Sequence, residues 1–321
     1  MITLVGHDQQ WAEWRAALAG HRMHHGWILA GREGLGKATF ALAAAAELVA
    51  EPGVPQPPPG HHPDIHLLEP LPNSDDEAKK KEDGRPYLRK RNINVDQVRE
   101  MQRRLVTRPT LGLRRAVIID AADQLEKGSV NALLKSLEEP PQGTFFLLVV
   151  HQLGRLLPTI RSRCTIMRFH PLAEGDLARA LDAAAPGLDP ATREAALAVS
   201  NGSPGAALTF AEQDLGKAWS AMKRLVTEGD PDFALRGELA TAIGQRPDRD
   251  RIQAMLESAR MILVRSLPRV DEPTRARVVE AHARLVTIAA QAPIYNFDAA
   301  LLLMEIGGLL ASVARTRESA S

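Results

Sequence analysis

Short apolar runs alternate with longer amphipathic stretches over the first half of the chain, which is the pattern of a parallel α/β sheet flanked by helices. The runs with the length and composition of buried strands lie at residues 27–30, 116–119, 144–150 and 165–169. The second of these ends in an acid, Asp120. Because the carboxyl ends of parallel strands form the ligand-binding edge of an open sheet, we expect polar residues there to carry function.

Apolar residues spaced three or four apart predict helices between these runs. Residues 7–20 and 130–137 show this spacing, and Asn94 caps a third helix, in which Gln97 completes a capping box. The pattern is helical from residue 172 onwards. Two short helices are expected first, at 172–185 and 190–200, and further helices beyond about residue 212, at 233–243, 251–267, 272–291 and 298–315.

Two stretches interrupt this alternation. Residues 52–63 contain six prolines and two glycines, which predicts an irregular excursion. Residues 73–91 are acidic first and then basic, with almost no apolar residues, so we expect a mobile surface insertion at about residues 70–92. The basic half of this insertion, from Lys79 to Arg91, can also be interpreted as a contact for DNA phosphates.

Composition limits the functions that this pattern can serve. With 321 residues, 45% of them apolar, the chain is long enough for two or three domains. Its 40 basic and 39 acidic residues give a formal net charge of +1, which provides no global attraction to nucleic acid or anionic lipid. A single cysteine, no signal-peptide pattern and no apolar run of about 20 residues together predict a cytoplasmic protein without a disulfide framework or a membrane span.

Residues 31–39 join the first apolar run to an alanine-rich helical pattern and have the spacing of a phosphate-binding loop. In such a loop the glycines let backbone N–H groups surround phosphate oxygens, the lysine reaches the terminal phosphates, and the next hydroxyl residue binds Mg²⁺. The template matches at Gly31, Gly36 and Lys37 but has Ala38 at the metal position. We therefore expect phosphate binding and doubt metal-assisted hydrolysis, while a glycine-rich turn without a ligand is the alternative.

Asp120 is the candidate acid of this site. In an active P-loop ATPase an acid here supports Mg²⁺ and the following glutamate orients the attacking water. In this chain the next residue is Ala121, and Asp123 lies beyond the usual position of a base, so we interpret Asp123 as a helix-cap or surface acid. His151 stands where a sensor of the γ-phosphate would lie, although a structural role is an equal alternative. The candidate nucleotide-binding residues are Gly31, Gly34, Gly36, Lys37, Ala38, Thr39 and Asp120.

The sequence Arg161-Ser162-Arg163-Cys164 places two arginines just before the last strand-like run. A guanidinium supplied by a neighbouring subunit stabilises charge on a transferring phosphoryl group. An arginine here can therefore act in trans even where the nucleotide site of its own chain is defective. Cys164 has no identifiable base beside it, so we interpret it as a packing residue and not as a nucleophile.

These motifs, taken in their order, resemble those of the clamp-loader branch of the AAA+ ATPases, and in particular its bacterial delta-prime subunits of DNA polymerase III. The resemblance is carried by the phosphate loop, Asp120, residues 131–141 (NALLKSLEEPP) and Ser162-Arg163-Cys164, and it covers residues 1 to about 210. It implies an α/β AAA+ P-loop domain with a parallel sheet at residues 1–170, a small helical lid at 171–211 and an all-α collar, or oligomerisation domain, at 212–321.

The same resemblance implies a role in DNA replication. A subunit of this kind joins gamma or tau and delta subunits in a hetero-pentamer, which opens the sliding clamp and places it on primer-template DNA. Arg163 is then the arginine finger for the ATP site of an adjacent gamma or tau subunit, and thus the residue through which this chain takes part in catalysis.

Departures from the ATPase subunits predict that this chain does not hydrolyse ATP efficiently. Ala38 replaces the metal-binding hydroxyl, Ala121 replaces the catalytic glutamate, and residues 201–206 lack the arginine of a similar glycine-serine motif. We expect ATP or ADP to bind without hydrolysis, in a vestigial site. Many relatives hold zinc with four cysteines where this chain has residues 52–63, so no zinc is expected. The histidines at 21–25 are interpreted as a surface cluster and those at 61–66 as loop residues, with metal ligation as the alternative for both groups.

Two rival interpretations stay open. Because Lys37 and Asp120 are present, the chain could be a catalytically active AAA+ ATPase of the clamp-loader or helicase type. Direct binding of DNA through residues 79–91 is the third hypothesis, and the near-neutral composition makes it the weakest.

Overall fold

The structure, a computed structural model, describes residues 4–20, 23–85, 87–244, 247, 249–291 and 298–314. The chain divides after Leu172 into two compact units, residues 1–172 and 173–321. Within the described residues, the strands all belong to the first unit and the second unit is helical.

Among the described residues, five parallel strands form one sheet in the order β2-β3-β4-β1-β5. The four predicted strands are confirmed as β1, β3, β4 and β5, and the α/β class with a parallel sheet is confirmed with them. The sequence analysis did not predict β2, because a run of four residues is too short to stand out from the surrounding loops. The strands are β1 (Gly26–Ala30), β2 (Ile65–Leu68), β3 (Arg115–Asp120), β4 (Thr144–Val150) and β5 (Thr165–Arg168).

Helices cover both faces of this sheet. The first unit contains α1 (Asp8–Ala19), α2 (Lys37–Val49), α3 (Asp75–Glu82), α4 (Val95–Leu105), α5 (Lys127–Glu138) and α6 (Pro158–Arg161). Trp14 of α1 and Phe40 of α2 are fully buried in the core on one face, where they pack with Ile118 of β3. Leu133 of α5 packs on the other face, with Ile119. Since side chains alternate along a strand, Asp120 lies on the same face as Ile118, beneath the start of α2.

The charged insertion is not the loop that the sequence analysis expects. Residues Asp75–Glu82 form the helix α3, and Ser74 caps it by accepting a hydrogen bond from the Glu77 backbone N–H (3.3 Å). Its acids lie in the first turn and its lysines in the last, an order that matches the helix dipole and stabilises a helix without an apolar face. The expected loop is therefore wrong for these eight residues, while the mobility of the insertion stays a prediction.

The second unit packs its helices around one another. In the described residues these are α7 (Glu174–Ala184), α8 (Pro190–Val199), α9 (Pro204–Glu212), α10 (Gly216–Glu228), α11 (Ala234–Ile243), α12 (Arg249–Ser266), α13 (Glu272–Gln291) and α14 (Ala299–Ala311). The predicted helical character beyond residue 172 is confirmed, although Arg315, the predicted end of the last helix, lies outside the described residues. Helix α8 packs against α9, α10 and α12. The division into a lid at 171–211 and a collar at 212–321 stays a prediction.

Neither a membrane span nor a metal-binding cluster is present among the described residues. None of the helices there combines the length and the apolar composition of a membrane span. No group of three or more histidine, cysteine, aspartate or glutamate side chains is placed there to hold a metal ion. His62, in the predicted excursion, instead contacts Gln56 Oε1 through Nε2 (2.7 Å) and accepts from the Asp64 backbone N–H through Nδ1 (3.0 Å).

Candidate functional site

The phosphate loop runs from the end of β1 to the start of α2, and its glycines are required by its shape. Gly34 and Gly36 have φ angles of 76° and 81°, in the left-handed region that side chains disfavour. At Gly31 an added Cβ atom would lie 2.6 Å from the carbonyl oxygen of Phe169. The loop can therefore take this tight path beside the end of β5 only because these positions carry no side chain.

Lys37 points into the loop. Its side chain is buried, with 2% of the residue exposed, and its Nζ donates a hydrogen bond to the carbonyl oxygen of Arg32 (2.6 Å). Burial lowers the lysine pKa to about 8, although the carboxylates of Asp120, Asp123 and Glu33 favour its charged form. The loop thus contains a poorly solvated cation, which is the charge that a phosphate group would pair with.

The residues beside this cation do not complete a magnesium site. The side chain of Ala38 has no oxygen with which to coordinate a metal, and Thr39 lies one residue further along the helix, about 100° around its axis. Ala121 is buried, with 3% of the residue exposed, and also has no oxygen in its side chain. The residues present fit a phosphate group and do not fit the metal that accompanies it in an active ATPase.

Asp120 lies at the carboxyl end of β3, between the neighbouring strands β2 and β4. Leu68 of β2 pairs with Ile119 of β3, so Glu69 continues this register beside Asp120. Burial raises the pKa of the Asp120 carboxyl group, while electrostatic interactions with His151, Arg89 and Lys37 oppose this rise. Glu69 is absent from the candidate residues predicted from the sequence, because β2 was not predicted and only β2 brings Glu69 to this edge. Arg89 was predicted only as part of the DNA contact at residues 79–91.

Asp123 fixes the loop that follows β4. Its two carboxylate oxygens accept hydrogen bonds from the backbone N–H groups of His151 (3.0 Å) and Gln152 (2.9 Å). Asp123 was predicted to be a helix-cap or surface acid, and these contacts hold a loop instead of capping a helix. The Nδ1 atom of His151 is buried and has no hydrogen-bond partner among the described residues.

Arg163 lies at the amino ends of the parallel strands, whereas the phosphate loop lies at their carboxyl ends. It precedes β5 by two residues, and the first residue of β5, Thr165, pairs with Trp27 near the start of β1. The phosphate loop begins where β1 ends. Since a parallel strand rises about 3.3 Å per residue, roughly 15 Å of sheet separates the two edges. The structure therefore brings the phosphate-loop residues and Asp120 together and places Arg163 apart from them.

The Arg163 guanidinium is held in place by partners of its own. It forms an ion pair with Glu138 at the end of α5 (Nη2 to Oε1, 2.8 Å) and donates from Nη1 to the carbonyl oxygen of Thr159 (2.9 Å). About a third of the arginine side chain stays exposed. The contact of Glu138 with Arg163 was not predicted from the sequence, because no periodicity relates residue 138 to residue 163. Glu138 appears there only as part of the run 131–141.

Cys164 packs against the start of β1. An added Cβ atom at Gly26 would lie 2.8 Å from its Sγ atom, so the thiol occupies the space that a side chain at Gly26 would need. Burial raises the pKa of the thiol to about 12, which leaves it protonated and unreactive near neutral pH. Its interpretation as a packing residue agrees with both observations.

The family profile and two relatives that match this chain all concern subunits of DNA polymerase III. The profile of the family described as "DNA polymerase III, delta subunit" matches residues 6–173. The chain is 37% identical over 212 residues to DNA polymerase III subunit delta' of Pseudomonas aeruginosa, covering 61% of this chain and 58% of the relative. It is 31% identical over 226 residues to the same subunit of Escherichia coli, covering 65% and 60%. These alignments span about three fifths of the length of the two relatives.

Two further comparisons concern the related gamma subunit. DNA polymerase III subunit gamma of Buchnera aphidicola (subsp. Schizaphis graminum) is 30% identical over 159 residues, covering 49% of this chain and 41% of the relative. The crystal structure of a DNA polymerase III gamma subunit-related protein from Thermotoga maritima superposes with a TM-score of 0.52 at 19% identity, covering 95% of this chain and 99% of that one. At this identity the likeness concerns the fold alone.

Proposed function

The chain belongs to the DNA polymerase III delta subunit family, and we propose that it is a delta-prime subunit of a bacterial clamp loader that does not itself hydrolyse ATP. Its partners would be gamma or tau and delta subunits in a hetero-pentamer. Together they would open the sliding clamp and place it on primer-template DNA during replication, with energy from ATP hydrolysis by the neighbouring subunits.

The position of Arg163 carries this proposal. The arginine lies at the edge of the sheet opposite the phosphate loop, so its guanidinium is too far away to serve the phosphates of its own chain. It is partly exposed and anchored by Glu138 and Thr159, and is therefore available to a second molecule with little loss of side-chain entropy. A guanidinium presented in this way suits the stabilisation of phosphoryl charge in an adjacent ATP site.

The residues around the phosphate loop support the absence of hydrolysis. Ala38 and Ala121 remove a metal ligand and the usual base, and Asp123 is engaged with two backbone N–H groups. Metal and base contribute separately to phosphoryl transfer, through charge neutralisation and through orientation of the water. Losing both leaves Lys37 and Asp120 able to hold a phosphate group without the means to cleave one.

Replacing Arg163 tests the proposal. In a loader reconstituted with gamma, tau and delta subunits, we expect Arg163→Ala to abolish turnover at the one site that it serves. The total DNA-stimulated ATPase rate should fall to what the other sites sustain, with assembly by gel filtration unchanged. Arg155→Ala is the matched control, because Arg155 is an exposed arginine on the turn before α6. An unchanged rate in the Arg163 variant, with intact assembly, would refute the finger.

An autonomous AAA+ ATPase of the clamp-loader or helicase type is the alternative, because Lys37 and Asp120 are retained. The purified chain assayed with Mg²⁺ distinguishes the two, since an active enzyme would turn over at roughly 1 per second or faster. We expect no turnover at that rate. Co-purification with gamma, tau and delta subunits is the complementary test, because the role in trans depends on that assembly.

A further inference from the structure

The charged insertion is folded against the carboxyl edge of the sheet. Its return segment runs antiparallel to its outgoing one, with an isolated bridge between Pro72 and Arg89. The Asn73 N–H donates to the Leu88 carbonyl oxygen (2.9 Å), and the Lys90 N–H donates to the Leu71 carbonyl oxygen (2.7 Å). These two hydrogen bonds flank Arg89 and fix its backbone beside the end of β2.

The side chain of Arg89 is fixed as well. Its Nη1 atom forms an ion pair with Glu69 Oε2 (3.0 Å), and its guanidinium lies 5.2 Å from the centre of the Tyr87 ring. The other carboxylate oxygen of Glu69 pairs with Lys81 Nζ (2.6 Å). Glu69 is largely buried, with 17% of its side chain exposed, so it holds both cations at the edge of the sheet.

This arrangement places the guanidinium, through Glu69, at the same end of the sheet as Asp120. Glu69 continues the in-register pairing of β2 with β3, and neighbouring strands lie about 4.8 Å apart, with register partners on the same face. Arg89 is close enough to favour the charged form of the Asp120 carboxyl group, together with Lys37 and His151. The phosphate loop, its lysine and a second fixed cation therefore lie at the same, carboxyl end of the sheet, with β3 and β4 between the end of β2 and the phosphate loop.

In an active P-loop ATPase the second positive charge at this place comes from Mg²⁺. Here Ala38 cannot bind the metal, and each oxygen of Glu69 is already paired with a cation, so a second carboxylate cannot replace the missing ligand. A guanidinium keeps its charge throughout the neutral range and offers a fork of donors that fits phosphate oxygens.

We propose that the phosphate loop binds the terminal phosphates of a nucleoside di- or triphosphate without Mg²⁺, and that Arg89 of the insertion supplies the positive charge in place of the metal. The insertion is then part of the nucleotide site. This inference goes beyond the clamp-loader role and does not depend on it.

Titration of the full-length chain with a fluorescent methylanthraniloyl-ADP tests the proposal. We expect the Kd in excess EDTA to lie within about threefold of the Kd in excess Mg²⁺. Arg89→Ala should weaken binding in EDTA by about 10-fold or more, the effect of losing one charge-assisted contact to phosphate. Arg91→Ala is the matched control, an exposed arginine of the same insertion, and its Kd should be unchanged. Competition with pyrophosphate shows whether the nucleoside contributes to affinity.

Restoring the metal ligand gives a second test that does not alter the insertion. Ala38→Thr should make binding tighter in Mg²⁺ than in EDTA, because it supplies the missing metal ligand. If circular dichroism shows that Arg89→Ala is unfolded, Arg89→Gln takes its place, because it removes the charge and keeps most of the side chain, and the same loss in EDTA is expected. The proposal is overturned by no binding in either condition, by binding of the natural chain only with Mg²⁺, or by equal losses in Arg89→Ala and Arg91→Ala. None of these outcomes affects the assay of Arg163 in the reconstituted loader, so the two proposals fail separately.

Discussion

The charge of Lys37 is needed for the proposed phosphate binding, but burying that charge lowers the stability of the folded chain. The side chain must be charged to attract phosphate, yet it is almost completely buried, and burial lowers its pKa from 10.5 to about 8. Below pH 8 the lysine is protonated in both the folded and the unfolded chain, so the full penalty of burying the charge applies. Between pH 8 and pH 10.5 only the unfolded chain holds the proton, and the penalty fades as the pH rises.

Replacing this lysine should therefore stabilise the protein while removing the cation that the proposed phosphate site needs. We expect Lys37→Met to raise the free energy of unfolding at pH 7 by about 1–3 kcal/mol, the desolvation term reduced by the lost hydrogen bond to Arg32. The gain should shrink as the pH approaches 10.5, because the native lysine is then neutral. Calorimetric melts at several pH values measure both effects.

The control for this prediction is Lys135→Met, which replaces an exposed lysine on α5. Its melting temperature should follow that of the natural chain at every pH. A Lys37→Met variant that is less stable than the natural chain at pH 7 would contradict the prediction, as would a stability difference that stays constant between pH 7 and pH 10.5.

At the scale of elements, α3 depends on two glutamates from different segments. Glu77 accepts a hydrogen bond from the Leu88 backbone N–H (2.6 Å), which joins the helix to the return segment, and it pairs within the helix with Lys80 (2.7 Å). Glu69 pairs with Lys81 and Arg89 and joins the insertion to the end of β2. A short helix with no apolar face is marginal in water on its own, so these contacts decide whether α3 forms.

Removing the carboxylate of Glu69 should loosen the insertion selectively. In the Glu69→Ala variant we expect backbone amides of residues 75–90 to exchange with deuterium about 10-fold faster, while amides of β3 and β4 keep their protection. Hydrogen exchange followed by mass spectrometry measures this. Glu82→Ala, at an exposed position of the same helix, serves as the control and should leave the exchange unchanged. Equal exchange in both variants would mean that Glu69 does not hold the insertion.

At the scale of the whole molecule, the two units present different surfaces. The first contains the phosphate loop and Arg163. The second leaves several large apolar side chains exposed on its last helices. Val279 and Val286 of α13 are 56% and 42% exposed and lie two helical turns apart on one face, and Leu301 of α14 is 72% exposed. A surface of this kind suits the proposed collar, because apolar side chains grouped on a helix face mark contacts with other proteins.

Charging this face should weaken assembly without unfolding the chain. We expect the double variant Val279→Asp, Val286→Asp to co-purify poorly with gamma, tau and delta subunits, because two carboxylates would have to be buried in the contact. Its circular dichroism and melting temperature should match those of the natural chain. Val106→Asp, at a position in the first unit that is 86% exposed, is the control and should assemble normally. Normal assembly of the double variant would exclude this face as the contact.

The sequence by itself determined the features that depend on neighbours along the chain. Periodicity located β1, β3, β4 and β5, and local capping chemistry located the start of α4, where Asn94 accepts from the Gln97 N–H (3.0 Å) and Gln97 accepts in return (3.2 Å). The glycines and lysine of the phosphate loop were recognisable for the same reason. A backbone turn and the helix that follows it are specified within a few residues.

Only the tertiary structure decided what depends on strand pairing. The pairing of β2 with β3 brings Glu69, and through it Arg89, beside Asp120, although Glu69 and Asp120 are about fifty residues apart in the chain. The pairing of β5 with β1 places Arg163 at the edge of the sheet opposite the phosphate loop. No local pattern contains this information, because the pairing of distant strands is set by the packing of the whole sheet.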